Sequence, residues 1–385
     1  MCTIFYLNDD KNAFGGNNED FNDPHTKIWF VPREGGEING VPWVAGKYAR
    51  NYCGYRDLST QGGMNEKGLF FDFTATPPLK LENQGGMKQF NENAIDYIFS
   101  ECATVAEVLE LLNVYDLGEE TRGCMFIGDA TGDSAIVEGE AIIRKNSHFQ
   151  VSTNFYQSQI EDPSEISCGR FKIATEMLAN AADDVSVDTV RSVLSAVRQA
   201  GGSHTVYSQV YDLKKQIIHL YHFHNFDCVR VIDPREEWAK GEPVIYDIAE
   251  LFPPTYAHIS YAKKYDFEQS GERKKLVEKK RAIGEIIALD ASILNHYVGR
   301  YECDIYPSLY LNVIRMGDRL VAEQGGMIMD LYPTSTTCFY IIDHIGERKV
   351  SFESNKEARV TRLICELFAR NWPIPYSKME VKHND

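Results

Sequence analysis

The chain has 385 residues, a formal charge of −16 and a pI near 5.1. So acidic a balance opposes general binding to nucleic acid or to anionic membranes, and no apolar run reaches the roughly 20 residues that a membrane-spanning helix needs. A protein acting on a small molecule remains, long enough for two domains and a sizeable core.

The second residue is a cysteine. Removal of Met1 would leave Cys2 with a thiol and a free α-amine whose ordinary pKa values, about 8.5 and about 8, lie close enough for one group to take the other's proton. Thr3 to Leu7 read as a strand, the Asn8 to Lys11 stretch as a turn, and Asn12 to Phe21 as the returning strand of a hairpin that brings Asn17, Asn18 and Asp20 back beside Cys2. A carboxylate there can hold an amine, and amides can donate to an oxyanion. Gly63 to Leu69 form a turn feeding the apolar strand Phe70 to Thr74.

Amphipathic stretches from Asn91 to Cys102 and Val105 to Leu112 predict a helix pair, with Val105, Val108, Leu109 and Leu112 on one face. Strands follow at 124–127, 134–138, 142–144 and 149–153, the last ending at Asn154; Cys168-Gly169-Arg170 then opens a helix over 171–180, followed by another over 187–197. A hairpin of 205–211 and 217–224 completes the set. Strand groups alternating with helix groups suggest two sheets covered by helices, an α+β class. The segment 233–254, with four prolines, reads as irregular.

Residues 263–288 are dense in both signs of charge and read as a solvated linker helix rather than a nucleic-acid patch. From 289 to 370 short strands split by turns form a small β-rich module, read as a half-barrel, and 371–385 read as a tail. The amino-terminal domain is accordingly placed at 1–262.

The runs Met1-Cys2-Thr3, Gly16-Asn17-Asn18-Glu19-Asp20, Gly63 to Leu69, Ser152-Thr153-Asn154 and Gly169-Arg170 resemble, in order and spacing, the choloylglycine hydrolase family of linear-amide hydrolases with the penicillin V acylases, related to isopenicillin N acyltransferases and acid-ceramidase-like amidases. The resemblance spans residues 1 to about 230. It implies a four-layer αββα N-terminal nucleophile sandwich, with Cys2 as nucleophile and general base, Asp20 orienting the α-amine and Asn154 as an oxyanion donor. It further implies that Arg170 favours the thiolate, and that a backbone N–H near Thr74 or Ala75 is the second donor. Asn17 stands where the family commonly has arginine. The implied reaction is hydrolysis of a non-peptide acyl amide through a thioester on Cys2. An acyltransferase results if an amine intercepts the thioester, and a binding protein on the same scaffold is the non-enzymatic alternative.

Nine cysteines without CxxC spacing give neither a disulfide framework nor a zinc signature, so no cofactor or metal is expected. His219, His222 and His224 fail as ligands because strand alternation sends His219 to the other face. Ser260-Tyr261-Ala262-Lys263 lacks the partner motifs of a Ser-x-x-Lys enzyme, and Cys168 is the rival nucleophile. Trp29, Trp43, Tyr52 and Tyr55 are read as exposed aromatics on segments suited to line an acyl pocket, with a core role as the alternative. The expected partner is a small acyl amide, with no nucleic acid or membrane and with a homo-oligomer left open. With no charged-then-apolar leader before Cys2, the expected compartment is the cytoplasm, secretion after leader removal being the alternative.

Overall fold

The computed structural model describes residues 2–77, 88–89, 93–116, 123–201, 203–305, 309–324, 327–366 and 373–379. The chain divides into two compact units, Met1–Ile259 and Ser260–Asp385. The expected boundary at 262 thus falls three residues late, inside the helix Tyr256–Gln269.

The first unit holds two large antiparallel sheets and two two-stranded ones. The strands of the large sheets in chain order are β1 (Thr3–Asn8), β2 (Ala13–Phe21), β3 (Thr26–Val31), β4 (Arg50–Tyr55), β5 (Thr60–Asn65), β6 (Phe70–Thr74), β7 (Cys124–Gly128), β8 (Ser134–Glu138), β9 (Ala141–Arg144), β10 (Phe149–Ser152), β11 (His204–Asp212), β12 (Ile217–His222), β13 (Asn225–Ile232) and β14 (Val244–Asp247). One sheet runs β10-β1-β2-β11-β12-β13 and the other β9-β8-β7-β6-β5-β4-β3-β14. β14 lies in the segment expected to be irregular. It lengthens the edge of the second sheet by pairing with β3, Tyr246 opposite Ile28.

Four helices cover these sheets. α1 (Ala94–Glu101) starts at Asn93, whose side chain accepts from the Asp96 N–H, and α2 (Val105–Leu112) starts at Thr104, which accepts from the Glu107 N–H. Such caps satisfy donors that the first helical turn leaves open. Both helices bury Ile95, Ile98, Phe99, Val105 and Val108 against Trp29, Tyr52, Phe71 and Met125 of the second sheet. α3 (Gly169–Ala179) and α4 (Val187–Val197) bury Ala174, Leu178, Val190, Val193 and Leu194 against Phe5, Leu7, Phe14, Val151 and Val210 of the first. Asn91, where the first helix was expected to begin, lies outside the described residues.

The inner faces of the sheets meet through rings and glycines. Phe70 of the second sheet lies 5.7 Å from Tyr211 of the first. A Cβ on Gly15 would come within 2.8 Å of Phe70, and one on Gly128 within 2.7 Å of Tyr6. These glycines let two backbones approach where any side chain would hold them apart. β2 is therefore buried on both faces, and its Gly-Gly-Asn-Asn-Glu-Asp sequence places polar groups there in place of the usual aliphatic run.

In the second unit α5 (Tyr256–Gln269, beginning just before the boundary) and α6 (Glu272–Ala282) are separated by Gly271 at φ 70°. The expected linker is thus two helices. α6 is not simply solvated, since Val277 packs with Ile286 and Ile342. Eight strands, Gly299–Cys303, Tyr310–Met316, Arg319–Gln324, Met327–Pro333, Cys338–Asp343, Gly346–Ser354, Val360–Glu366 and Pro373–Lys378, close into a complete barrel, not a half-barrel. The supposed tail supplies the closing strand. Ile374 and Tyr376 alternate into the barrel core, and Tyr376 stands opposite Cys303 of the first barrel strand.

The Arg50–Asp96 pair ties β4 to α1 with Nε–Oδ1 at 2.6 Å and Nη2–Oδ2 at 2.7 Å, and Tyr52 donates to the same carboxylate at 2.8 Å. Both members are buried. Asp96→Ala would leave a buried guanidinium uncompensated and is expected to cost about 3–5 kcal/mol. Urea unfolding followed by tryptophan fluorescence checks this, and a loss below about 1 kcal/mol would show that water replaces the carboxylate.

Candidate active site

Strand alternation decides which residues of β2 can reach Cys2. In the β1–β2 register Thr3 faces Asn18 and Ile4 faces Asn17, so the next pair toward the chain start is Cys2 and Glu19. Residues directly opposite share a face. Cys2, Asn17 and Glu19 point toward the second sheet, whereas Thr3, Asn18 and Asp20 point toward α3 and α4.

On the inner face, the Cys2 thiol lies 3.6 Å from both carboxylate oxygens of Glu19. Tyr55 Oη, from β4, donates to Glu19 Oε1 at 2.7 Å. Asn17 Nδ2 donates to Asp72 Oδ2 of β6, leaving Asn17 Oδ1 and Asp72 Oδ1 buried without a partner among the described residues. Cys2 is 3% exposed, Glu19 1% and Asp72 0%. Burial raises the Glu19 carboxyl from its ordinary 4.5 to about 7, although the Tyr55 hydrogen bond opposes the rise. Burial, then the nearby Glu19 charge, pushes Asp72 well up. The Cys2 thiol is also pushed well up, by burial first and by Glu19 second.

On the helix face, Arg170 from the first turn of α3 donates through Nη1 to the Cys2 carbonyl at 2.6 Å and to Thr3 Oγ1 at 2.8 Å. The same Nη1 lies 3.5 Å from Asp20 Oδ2. Its Nη2 donates to Asn154 Oδ1 at 2.9 Å. Asp20 also accepts from Gln199 Nε2 at 2.7 Å and from the Thr205 hydroxyl. Its own pKa is raised, burial outweighing these partners. Asn154 Nδ2 donates to the Ala75 carbonyl at 2.8 Å, bridging the end of β10 to the segment after β6.

The arrangement thus brings Cys2, Asp20, Asn154 and Arg170 together, with three corrections. Arg170 does not contact the thiol: it grips the Cys2 carbonyl from the helix face while Sγ lies on the opposite face beside a carboxylate. Asn18 is not available to the Cys2 thiol, since its Nδ2 donates to Leu194 O at 2.8 Å and its Oδ1 accepts from Ser208 Oγ at 2.6 Å. Trp29, Trp43 and Tyr52 are not exposed but lie in the core under α1, and of the four aromatics Tyr55 alone reaches the site. Thr74 is buried with its side chain beside Cys124, and Ala75 is exposed.

Glu19 was missed as a functional residue. The signal was present, because an acid one step from Asp20 in a strand buried on both faces must face the other way.

The remaining cysteines and histidines do not extend the site. Cys168 stands at the N-cap position of α3 without a side-chain capping bond and accepts from Thr153 Oγ1 at 3.5 Å. β12 ends at His222, and Phe223 and His224 turn away at φ 45° and 65°, so the strand alternation expected for His224 does not apply. His222 packs 4.5 Å from His258, and His224 Nε2 lies 3.3 Å from His204 Nδ1. Among the described residues no group of three or more His, Cys, Asp or Glu side chains is placed to hold a metal ion.

The raised Glu19 pKa makes a signed prediction. Between 4.5 and about 7 the folded chain binds the Glu19 proton and the unfolded chain does not, so this contribution is complete at the acid end and is lost as pH rises through about 7. His222, held down to about 3 by burial, acts in the opposite sense below its ordinary 6.5. The difference between Glu19→Gln and the parent removes His222 from the comparison and leaves Glu19 together with its push on Asp72. The variant should gain stability relative to the parent from about pH 5 to about pH 8; a flat difference in paired thermal melts would contradict the buried, proton-holding placement.

No family model and no curated protein matches this chain. Among solved structures, a variant of conjugated bile acid hydrolase from Clostridium perfringens superposes with a TM-score of 0.53 and 18% identity, covering 66% of this chain and 99% of that one. A second mutant of the same hydrolase gives 0.50 and 19%, covering 66% and 97%. Penicillin V acylase from Agrobacterium tumefaciens gives 0.45 and 21%, covering 58% and 83%. At these identities the likeness is one of fold. The chain contains the fold of conjugated bile acid hydrolase, the choloylglycine hydrolase type that its Cys2, Asp20, Asn154 and Arg170 motifs resemble.

Proposed function

We propose that the protein is a cysteine amidase of the N-terminal nucleophile type, hydrolysing a non-peptide linear amide through an acyl thioester on Cys2. The observation that carries this reading is the Arg170 fork, which joins the Cys2 carbonyl, Asp20 and Asn154 in one cluster. Helices packed on the outer faces of two sheets that meet face to face fit the four-layer αββα order that such enzymes use.

In this reading Met1 is removed and the thiol attacks the substrate carbonyl carbon. Asp20, held by Thr205, Gln199 and Arg170, orients the new α-amine, the base that the family resemblance implies. Asn154 has two amide hydrogens, one of them given to Ala75, and the second serves the oxyanion with a backbone N–H near Thr74 or Ala75. A good donor of this kind is worth roughly 3–4 kcal/mol in the transition state. Water then hydrolyses the thioester. No cofactor is required, the substrate is a small acyl amide, and the proposed compartment is the cytoplasm. Among the described residues no helix is long and apolar enough to cross a membrane.

The non-catalytic alternative draws support from two features. Asn17 replaces a family arginine and the thiol sits beside a carboxylate, which together disfavour the thiolate.

Intact-mass analysis separates the two readings. Incubated with a panel of acyl amides, the purified protein should lack Met1 and show an acyl adduct or released amine that Cys2→Ala abolishes; normal turnover by Cys2→Ala would eliminate the mechanism. Asp20→Asn should lower kcat by about 100-fold, the scale of a misplaced reacting group, with KM little altered. An unchanged kcat would remove the role given to Asp20.

A further inference from the structure

We propose that Glu19 is the acid–base residue of this centre, carrying the Cys2 thiol proton to the leaving amine. The inference rests on the Cys2-nucleophile reading and gives the adjacent side chain the proton transfer assigned above to the α-amine.

Position comes first. Glu19 stands opposite Cys2 in the β1–β2 ladder, so the backbone register itself holds the carboxylate against the thiol, with Sγ 3.6 Å from each oxygen. Tyr55 occupies Oε1 at 2.7 Å, leaving Oε2 to receive a proton. Phe21, next but one along β2, stacks on the Tyr55 ring at 4.2 Å and braces it.

Charge comes second. The titratable groups around Glu19 are the amino terminus, Cys2 at the start of β1, Tyr55 and Cys53 on β4, Asp72 on β6, Asp20 beside it on β2 and Tyr207, its ladder partner on β11. Among the described residues no Arg, Lys or His side chain forms an ion pair with Glu19 or Asp72; Arg170 faces Asp20 and Arg50 is committed to Asp96. Glu19 and Asp72 are buried carboxyls whose nearest positive charge is that of the amino terminus, and burial still holds Glu19 at about 7, so it exchanges a proton near neutral pH. An acid–base group poised there suits both halves of an acyl transfer. A merely structural glutamate needs no thiol against both of its oxygens.

The steps balance. The S–H proton passes to Glu19 as sulfur forms its bond to the carbonyl carbon and the C=O pair moves to oxygen. On collapse the C–N bond breaks and the amine nitrogen takes that proton from Glu19. Water then gives a proton to the Glu19 carboxylate as its oxygen bonds to the acyl carbon. The C–S bond breaks and Glu19 reprotonates the sulfur.

The test uses three probes on the full-length protein and on Glu19→Gln, with Glu19→Asp as the conservative variant and thermal melts as the check on folding. Iodoacetamide reports thiolate alone; 4-nitrophenyl acetate acylates the thiol but its leaving group needs no proton; N-acetyl-4-nitroanilide requires protonation of nitrogen. In Glu19→Gln, alkylation of Cys2 should become faster at a given pH, because a neighbouring negative charge is gone. Anilide acylation should fall by about 100-fold relative to ester acylation, the scale of general acid–base catalysis. The limb of the anilide pH profile near 7 should vanish, and Glu19→Asp should restore part of the rate. Faster alkylation together with equal or faster anilide acylation would overturn the proposal and leave Glu19 an electrostatic neighbour. Parent protein that is alkylated but acylated by neither donor would overturn the amidase reading, and the proposal with it. An unfolded Glu19→Gln would shift the decision to Glu19→Asp, whose full anilide rate with an unmoved pH limb would equally overturn it.

Discussion

Four groups from three separate stretches of chain converge on the Arg170 guanidinium: the Cys2 carbonyl, the Thr3 hydroxyl, the Asp20 carboxylate and the Asn154 amide oxygen. A planar fork with five fixed N–H donors can satisfy such a set at once, where a lysine ammonium offers only three donors from a point. Because Arg170 is 16% exposed and Asp20 fully buried, the pair acts largely outside the screening of bulk water. The start of β1, the end of β2, the end of β10 and the first turn of α3 are thereby fixed to one another, and the position of Cys2 follows.

The two faces of β2 then divide the chemistry. Toward the helices lie Asn18 and Asp20, each bonded into the scaffold. Toward the second sheet lie Asn17 and Glu19, beside Cys2, Tyr55 and Asp72. Polar side chains inside an otherwise aromatic interface are costly unless each finds a partner. Here the partners come from the opposing sheet, Tyr55 for Glu19 and Asp72 for Asn17. The glycines at 15 and 128 permit the close approach of the sheets. The same enclosure that raises Glu19 toward neutrality also raises the thiol, so the proposed attack by Cys2 would depend on moving a proton locally rather than on a standing thiolate.

Motif order located the residues that Arg170 joins, because Cys2, Asp20, Asn154 and Arg170 sit at strand and helix ends whose periodicity and turn residues are local properties. The helix pairs at 94–112 and 169–197 were legible for the same reason. The outer aromatics were misread, since Trp29 and Tyr52 on alternating strands carry no mark of which face meets a helix. The barrel's closing strand was missed because Pro373–Lys378, with two prolines in six residues, has too short an alternating pattern to stand out from a tail.

The sequence by itself determined that a cysteine at position two stands in a hairpin whose returning strand carries Asn17, Asn18 and Asp20, with Glu19 between them in the same run. Only the tertiary structure decided which of those acids meets the thiol. Side chains along a strand point alternately to opposite faces, and the choice between Asp20 and Glu19 depends on register and on what packs against each face. Those are set by helices and strands distant in the chain: Arg170, Gln199 and Thr205 claim Asp20 on one side, and Tyr55 turns Glu19 toward Cys2 on the other.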